Sequence, residues 1–332
     1  MRFGLAIPQY GFSLPTGTIA FDDAARWAIR AEELGFDSVW ISDHLFYSFS
    51  RYGGDPTPIA ALEPLSTLAG IAARTDRVRL GALVLCAAFR HPAVVAKAAT
   101  TIDAIAGGRM ELGLGAGWLA EEFGAFGYRF GEVGDRFRGL EEALRIIGGL
   151  IDGEGPRTIA GATWSVEGAP LSPRPIQDRL PVWVGGKGGP RLLRLAARAA
   201  TGWNVVWRLA PDRYAAQLDD VVAACESEGR DPATFRRTVG LYAIVGDSEA
   251  AATALFERAR AEFPDDAMRD ETWATWAADT LSGSPQQAID RIGAFADLGV
   301  EEVIVSPWTL PFAVRAPEIV EVLAGRVLPA FR

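Results

Sequence analysis

The chain has 332 residues, 49% of them hydrophobic, with 33 basic against 42 acidic side chains and a net charge of −9. That length can bury a large core, and the acidic balance argues against nucleic acid as a partner. Cys86 and Cys225 lie far apart without metal-ligand spacing, so both read as reduced thiols, and no apolar run approaches the ~18–20 residues that cross a bilayer.

The N-terminal "MRFGLAIPQYG" opens on a strand pattern and lacks the apolar stretch of a signal peptide, which suggests a cytoplasmic protein. "RFGLAIP" (2–8) is the first strand. Phe21, Ala24, Ala25, Ala28 and Ala31 follow at helical spacing. "ELGFDSVWIS" gives a helix end, a glycine stop and a second strand. A helix is expected from Pro64 to Ala73, a third strand in "RVRLGALVL" (77–85), and a helix from Pro92 to Ile105. "GRMELGLGAG" is a fourth strand running into glycines, followed by a helix from Phe137 to Leu150.

The rhythm pauses at 151–180, where "RTIAG" and "ATWSVEG" suggest a small hairpin before a proline-rich stretch. "PVWVGGKGGP" resumes as a fifth strand. Its helix turns Leu192, Leu195, Ala196 and Ala199 inward and Arg191, Arg194 and Arg198 outward. "GWNVVW" is a sixth strand with a helix at 211–228, and "TVGLYAIVG" a seventh. The stretch 248–283 reads as an insertion plus a helix. A helix from Gln286 to Leu298, an eighth strand in "VEEVIVSPW" and a terminal helix at about 315–325 complete the pattern. Eight strands alternating with helices predict one (β/α)8 TIM barrel over 1–332, with insertions near 151–180 and 248–283. A doubly wound open sheet is the alternative.

In such a barrel the active site lies at the C-terminal ends of the strands. Those ends carry Pro8, Gln9 and Tyr10; Ser42, Asp43 and His44; Leu83, Val84 and Cys86; Gly115, Ala116, Gly117 and Trp118; Val184 to Gly189 with Lys187; Val206 and Trp207; and Ser306 to Trp308. This rim is aromatic and glycine-rich, with no cluster of metal ligands. His44 is one of only two histidines, and an imidazole titrating near ~6.5 can give or take a proton near neutrality. Neighbours on an extended chain point to opposite sides, so Asp43 either anchors the loop or bonds a ligand. A purely structural Asp-His at a strand end is the plainer reading.

"VGGKGGPRLL" is a candidate phosphate grip. Its glycines let backbone N–H groups approach an anion at a helix start, with Pro190 at the first helical position and Lys187 adding charge. A simple glycine turn is the alternative. The glycines of "ELGLGAGW" resemble part of a dinucleotide fingerprint, but the continuation is poor, and a backbone passing close to a flat ring fits better. Trp118 would line the pocket. Glu121 and Glu122 read as a solvated helical face, Asp135 and Arg136 as helix-capping residues, and His91 as a surface or capping residue.

Taken together, "LGFDSVWISDHL", "RVRLGALVL…FRHPAVVAKAATTIDAIAGGRMELGLGAGWLAEEF", "RFRGLEEALRII", "PVWVGGKGGPRLLRLAARAATGWN" and "SGSPQQAIDRI" resemble the luciferase-like monooxygenase superfamily. Within it the chain is most similar to the oxidoreductases that use the deazaflavin coenzyme F420. The resemblance implies a flavin-like ring in the barrel mouth, with His44 beside it as catalytic residue and Asp43 as its companion. It places cofactor contacts on Ser42, Leu83, Val84, Gly115, Ala116, Gly117, Val184, Gly185, Gly186 and Lys187, and a non-proline cis peptide at Leu83–Val84. Sugar-phosphate dehydrogenases of this branch carry a Glu after the fourth strand's glycines. Here Trp118 stands there, and with Trp207 and Trp308 it suggests a more apolar substrate pocket. The implied reaction is hydride transfer between the deazaflavin and a small organic substrate. An FMN-dependent monooxygenase and a non-enzymatic flavin-binding barrel are the alternatives. The resemblance also implies a homodimer; the charge balance and the lack of a long apolar run already speak against nucleic acid and membrane as partners.

Overall fold

The computed structural model describes residues 1–50, 53–263 and 267–332. Its organising element is a closed parallel barrel of eight strands, matching the eight runs expected from the sequence. They are β1 (Arg2–Ala6), β2 (Ser38–Ile41), β3 (Arg79–Ala82) continued after a two-residue break by β4 (Leu85–Cys86), β5 (Met110–Gly115), then, past the antiparallel hairpin of β6 (Arg157–Ile159) and β7 (Val166–Ala169), β8 (Val182–Gly185), β9 (Gly202–Trp207), β10 (Arg236–Val245) and, after the short β11 (Leu281–Gly283), β12 (Glu302–Ser306). Each barrel strand pairs in parallel with its neighbours, and β12 closes the ring on β1. An open doubly wound sheet is therefore excluded. The strands are buried on both faces, which is why they read as continuous apolar runs rather than alternating ones.

The helices form the outer layer: α1 (Phe21–Glu33), α2 (Pro64–Ala72), α3 (Pro92–Ile105), α4 (Ala120–Ala125), α5 (Val133–Ile151), α6 (Pro190–Ala199), α7 (Pro211–Ala215), α8 (Leu218–Ser227), α9 (Glu249–Ala261), α10 (Trp273–Asp279), α11 (Pro285–Asp297) and α12 (Pro317–Val322). Ala24, Ala25, Ala28 and Ala31 are buried along α1, so this helix packs closely on the strands. His91 caps α3, its Nδ1 accepting from the Ala93 N–H at 3.2 Å. Helix α5 starts at Val133, so Asp135 and Arg136 sit inside its first turn rather than ahead of it. The helix expected over 211–228 is broken into α7 and α8. The expected insertion at 248–283 contains α9, α10 and β11; residues 264–266 within it lie outside the described residues.

The N-terminal end of the barrel is charged. Glu111 of β5 and Glu302 of β12 are fully buried there. Glu111 meets Arg2 at 3.2 Å, is bonded by Arg79, and accepts from the Trp183 indole at 2.6 Å. Glu302 meets Arg2 at 2.8 Å and accepts from Ser38 and, at 3.2 Å, from Trp40. Burial works to raise the Glu111 carboxyl, but the Arg2 and Arg79 guanidiniums hold it below the usual range. Burial and the neighbouring Glu111 leave Glu302 raised instead. Removing one partner of a buried charge pair leaves the other unpaired, so Glu111→Ala is expected to cost roughly 3–5 kcal/mol, read as a lowered midpoint in urea unfolding.

Candidate active site

The opposite end of the barrel holds a cavity of about 550 Å³, within the usual range for a small-molecule site. Ser42, Asp43, His44, Leu83, Val84, Gly115, Ala116, Gly117, Gly185, Gly186 and Lys187 all line it, as do Trp118 and Trp207. Two expected residues do not. Val184 is fully buried in β8, one residue short of the mouth. Trp308 is also fully buried, beneath the Arg258 guanidinium at 5.4 Å. At the end of β12 the cavity is lined instead by Pro311 and Phe312, and Tyr242 of β10 also contributes.

The ends of β1 and β2 are tied by an amide clamp. The Gln9 side chain donates to the Ser42 carbonyl at 2.5 Å and accepts from the Ser42 N–H at 2.7 Å. Tyr10 bonds the Ser42 hydroxyl. Asp43 turns away from the imidazole. Its carboxylate takes two bonds from Arg90, at 2.6 and 3.0 Å, and one from the Cys86 N–H at 2.8 Å. Arg90 also reaches Glu63 at 2.7 Å. Burial raises the Asp43 carboxyl, opposed by Arg90 and the Cys86 N–H, which favour the ionised form. Asp43 thus anchors β4 against the end of β2, the loop-anchoring role weighed for it, and among the described residues no hydrogen bond joins it to His44.

The partner of His44 is Glu122. Its Oε2 lies 2.8 Å from the His44 Nδ1, and its Oε1 accepts from the Leu45 N–H at 2.5 Å and the Phe46 N–H at 3.4 Å. Glu122 is buried, contrary to the solvated face expected for it, whereas Glu121 is exposed and accepts from Ser48 and Ser50 at 2.8 and 2.5 Å. The signal was present in the sequence. Leu119, Glu122 and Phe123 stand at i, i+3 and i+4, one helical face, and both apolar members are buried. With six residues in α4, that phase was too short to recognise. Arg90, Tyr47 and Phe312 were likewise not singled out. His44 is framed by Tyr47 at 5.5 Å and Trp118 at 5.4 Å, both edge-on.

The cavity floor is the break between β3 and β4, where the Leu83–Val84 peptide is cis, as the resemblance implied; Val206–Trp207 is a second cis peptide. The Val84 side chain lies in a slot opened by glycines. A Cβ on Gly113, Gly115 or Gly185 would stand 2.7, 2.7 or 2.8 Å from its methyl carbons. Of the glycines of "ELGLGAGW", Gly115 makes room for Val84, Gly113 for Val84 and the Ala82 carbonyl, and Gly117, at φ +77°, for Cys86 and Phe123. In the loop after β8, Gly188 has φ +85° and no room for a Cβ, which would meet Trp203 at 2.6 Å. Lys187 is exposed beside it, and α6 begins at Pro190 with no side-chain cap, leaving its first N–H groups turned to this loop.

Cys86 also lines the cavity. Burial pushes its thiol up to about 12, with Asp43 and Glu122 adding to the effect. No group of three or more metal-binding side chains occurs among the described residues, and among them no helix is long and apolar enough to cross a membrane.

A parallel eight-strand barrel with an apolar bulge, an imidazole and a glycine loop around one mouth defines a (β/α)8 protein with a cavity of small-molecule size at its C-terminal end. The chain belongs to the luciferase-like monooxygenase family, whose sequence model matches residues 1–302. It is 32% identical over 299 residues to an F420-dependent glucose-6-phosphate dehydrogenase of Intrasporangium calvum, covering 83% of this chain and 86% of the relative. It is 35% identical over 216 residues to the enzyme of the same name from Microbacterium testaceum, covering 64% of this chain and 61% of the relative. Among solved structures, an F420-dependent secondary alcohol dehydrogenase in complex with an F420–acetone adduct shares the fold, with TM-score 0.79 and 20% identity over 100% of this chain and 99% of the other.

The raised thiol gives a direct test. A thiolate forms only as pH rises toward the thiol's own value. At pH 8 the native protein should therefore react with a thiol-specific dye far more slowly at Cys86 than the urea-unfolded chain does, measured as the rate of dye release.

Proposed function

We propose that the protein is an oxidoreductase that binds coenzyme F420 in this cavity and moves a hydride between it and a small, rather apolar organic substrate. The observation that carries this reading is His44, presented by Glu122 at the rim of a cavity whose floor is the Val84 bulge. The surroundings fit a flat ring with an anionic arm. The Val84 bulge offers an apolar face, and the glycine loop with Lys187 and the start of α6 offers N–H groups and positive charge to a phosphate. When bound, a deazaflavin ring supplies two-electron hydride chemistry.

The residues of this chain then have separate tasks. Val84 and Leu83 support the ring. Lys187 and the backbone of 185–189 hold the anionic arm. His44 exchanges a proton with the substrate oxygen. Asp43 and Arg90 hold the second strand's end and β4 in register. Trp118, 42% exposed and edge-on to His44, is an apolar wall where the substrate would sit, which supports an apolar substrate over a sugar phosphate. An FMN-dependent monooxygenase is the second reading, favoured by the name of the matching family.

Three experiments bear on this. Titrating F420 and FMN separately against the fluorescence of the ten tryptophans should show the tighter saturable quenching with F420; tighter binding of FMN would replace this reading by the second. Lys187→Glu, at an exposed position, should weaken F420 binding at least about tenfold without changing thermal unfolding, since it reverses a charge beside the anion. For the proton-transfer role, His44→Asn should lower turnover by about 10²–10⁴ with little change in F420 affinity. His91→Asn, at a residue that does not line the cavity, should keep turnover near the unaltered level. Equal behaviour of the two variants would refute the role of His44.

A further inference from the structure

We infer that Glu122 is the positioning residue for His44: it fixes the imidazole in the Nδ1–H tautomer, so that Nε2 meets the substrate as a proton acceptor. The inference rests on the proposed reaction for its consequence, but the tautomer itself is read from hydrogen bonds.

The Glu122 carboxyl has a divided role. Oε1 is already used by the Leu45 and Phe46 N–H groups, both of which can only donate. Oε2 faces the Nδ1 of His44 at 2.8 Å. An ionised carboxylate only accepts, so the ring proton lies on Nδ1. Nε2, on the far edge of the ring, makes no hydrogen bond to protein among the described residues, while His44 itself lines the cavity. A neutral ring protonated at Nδ1 carries a lone pair on Nε2. That atom can take the hydroxyl proton of an alcohol: the O–H bond breaks toward Nε2, the C–H pair leaves as hydride to the coenzyme, and a C=O bond remains. The reverse sequence returns the proton from the imidazolium to a ketone oxygen as hydride arrives at carbon.

The same molecule contains the opposite arrangement. His91 accepts from the Ala93 N–H through Nδ1, so its proton must lie on Nε2. The two histidines of the chain should therefore be opposite tautomers, and each is the reference for the other.

Glu122→Gln makes the role testable beyond simple loss of a charge. The Leu45 N–H needs an acceptor, so it draws the new amide's oxygen. The amide NH2 then points at Nδ1 and donates to it. The ring proton must move to Nε2, and the acceptor facing the cavity is lost. Glu121→Gln alters only the bonds to Ser48 and Ser50 and leaves the ring as it was.

The experiment is nitrogen NMR of the full-length chain carrying ¹⁵N-histidine, at a pH where both rings are neutral, with His44→Asn and His91→Asn used for assignment. The expected result is a pyrrole-type Nδ1 on His44 and a pyrrole-type Nε2 on His91, with His44 inverted by Glu122→Gln and untouched by Glu121→Gln. In parallel, kcat of Glu122→Gln should fall by about 10²–10⁴ with F420 affinity nearly constant. Finding His44 with its proton on Nε2 in the unaltered protein overturns the inference without any variant having to fold. So does an unchanged His44 tautomer in a folded Glu122→Gln. Should His44→Asn keep full turnover while the tautomer is as stated, the proposed reaction fails and the positioning by Glu122 stands.

Discussion

The buried carboxylate of Asp43 is the point on which the barrel mouth depends. A charge with no side-chain exposure is tolerated only when it is fully bonded. Here a bidentate Arg90 and the Cys86 N–H complete it. Those bonds join the end of β2 to one segment 43 to 47 residues further along the chain, which runs from Cys86 at the end of β4 to Arg90 in the turn before α3. His44 and the Val84 bulge are one residue from each end of this clamp or close to it. Their relative placement follows from one carboxylate more than from the barrel ladder, which has ended at His44 and is interrupted at the Val84 bulge.

The two ends of the barrel use charge differently. At the N-terminal end Glu111 and Glu302 are locked by Arg2, Arg79, Ser38 and two indoles. This network fills the interior where side chains from several strands converge. At the C-terminal end each polar group holds a segment of the mouth: Gln9 and Tyr10 hold Ser42, Asp43 holds β4, Glu122 holds the segment after His44, and Glu121 holds Ser48 and Ser50. The division follows the general one in this architecture, stability at the bottom and chemistry at the top.

The barrel was legible because its strands are unbroken apolar runs and its helices repeat with a clear period. Even helix limits such as Pro92–Ile105 could be read from proline and glycine punctuation. The list of rim residues was also legible, since position after a strand is enough to place a residue at the mouth. What each rim residue bonds to was not. Extended backbone alone told that Asp43 and His44 face apart, but their partners, Arg90 and Glu122, lie 47 and 78 residues along the chain, beyond any local pattern. Trp308 looked like a rim residue by position; Phe312 lines the cavity instead. Glu122 was disguised by the shortness of α4, and by a twin at 121 that does face solvent.

The wedge formed by Val84 has an evolutionary consequence. Its methyl groups occupy the space that side chains at 115 and 185 would need, while position 113 is closed by the Ala82 backbone carbonyl as well. A larger residue at 115 or 185 clashes while Val84 remains, and a smaller residue at 84 opens a void against both glycines at once. Diversification of the cavity floor must therefore proceed through coordinated changes at 84, 115 and 185, whereas Trp118 and Lys187, which project from the rim, can drift singly. Descendants of this scaffold would change what they act on by altering the walls long before the floor.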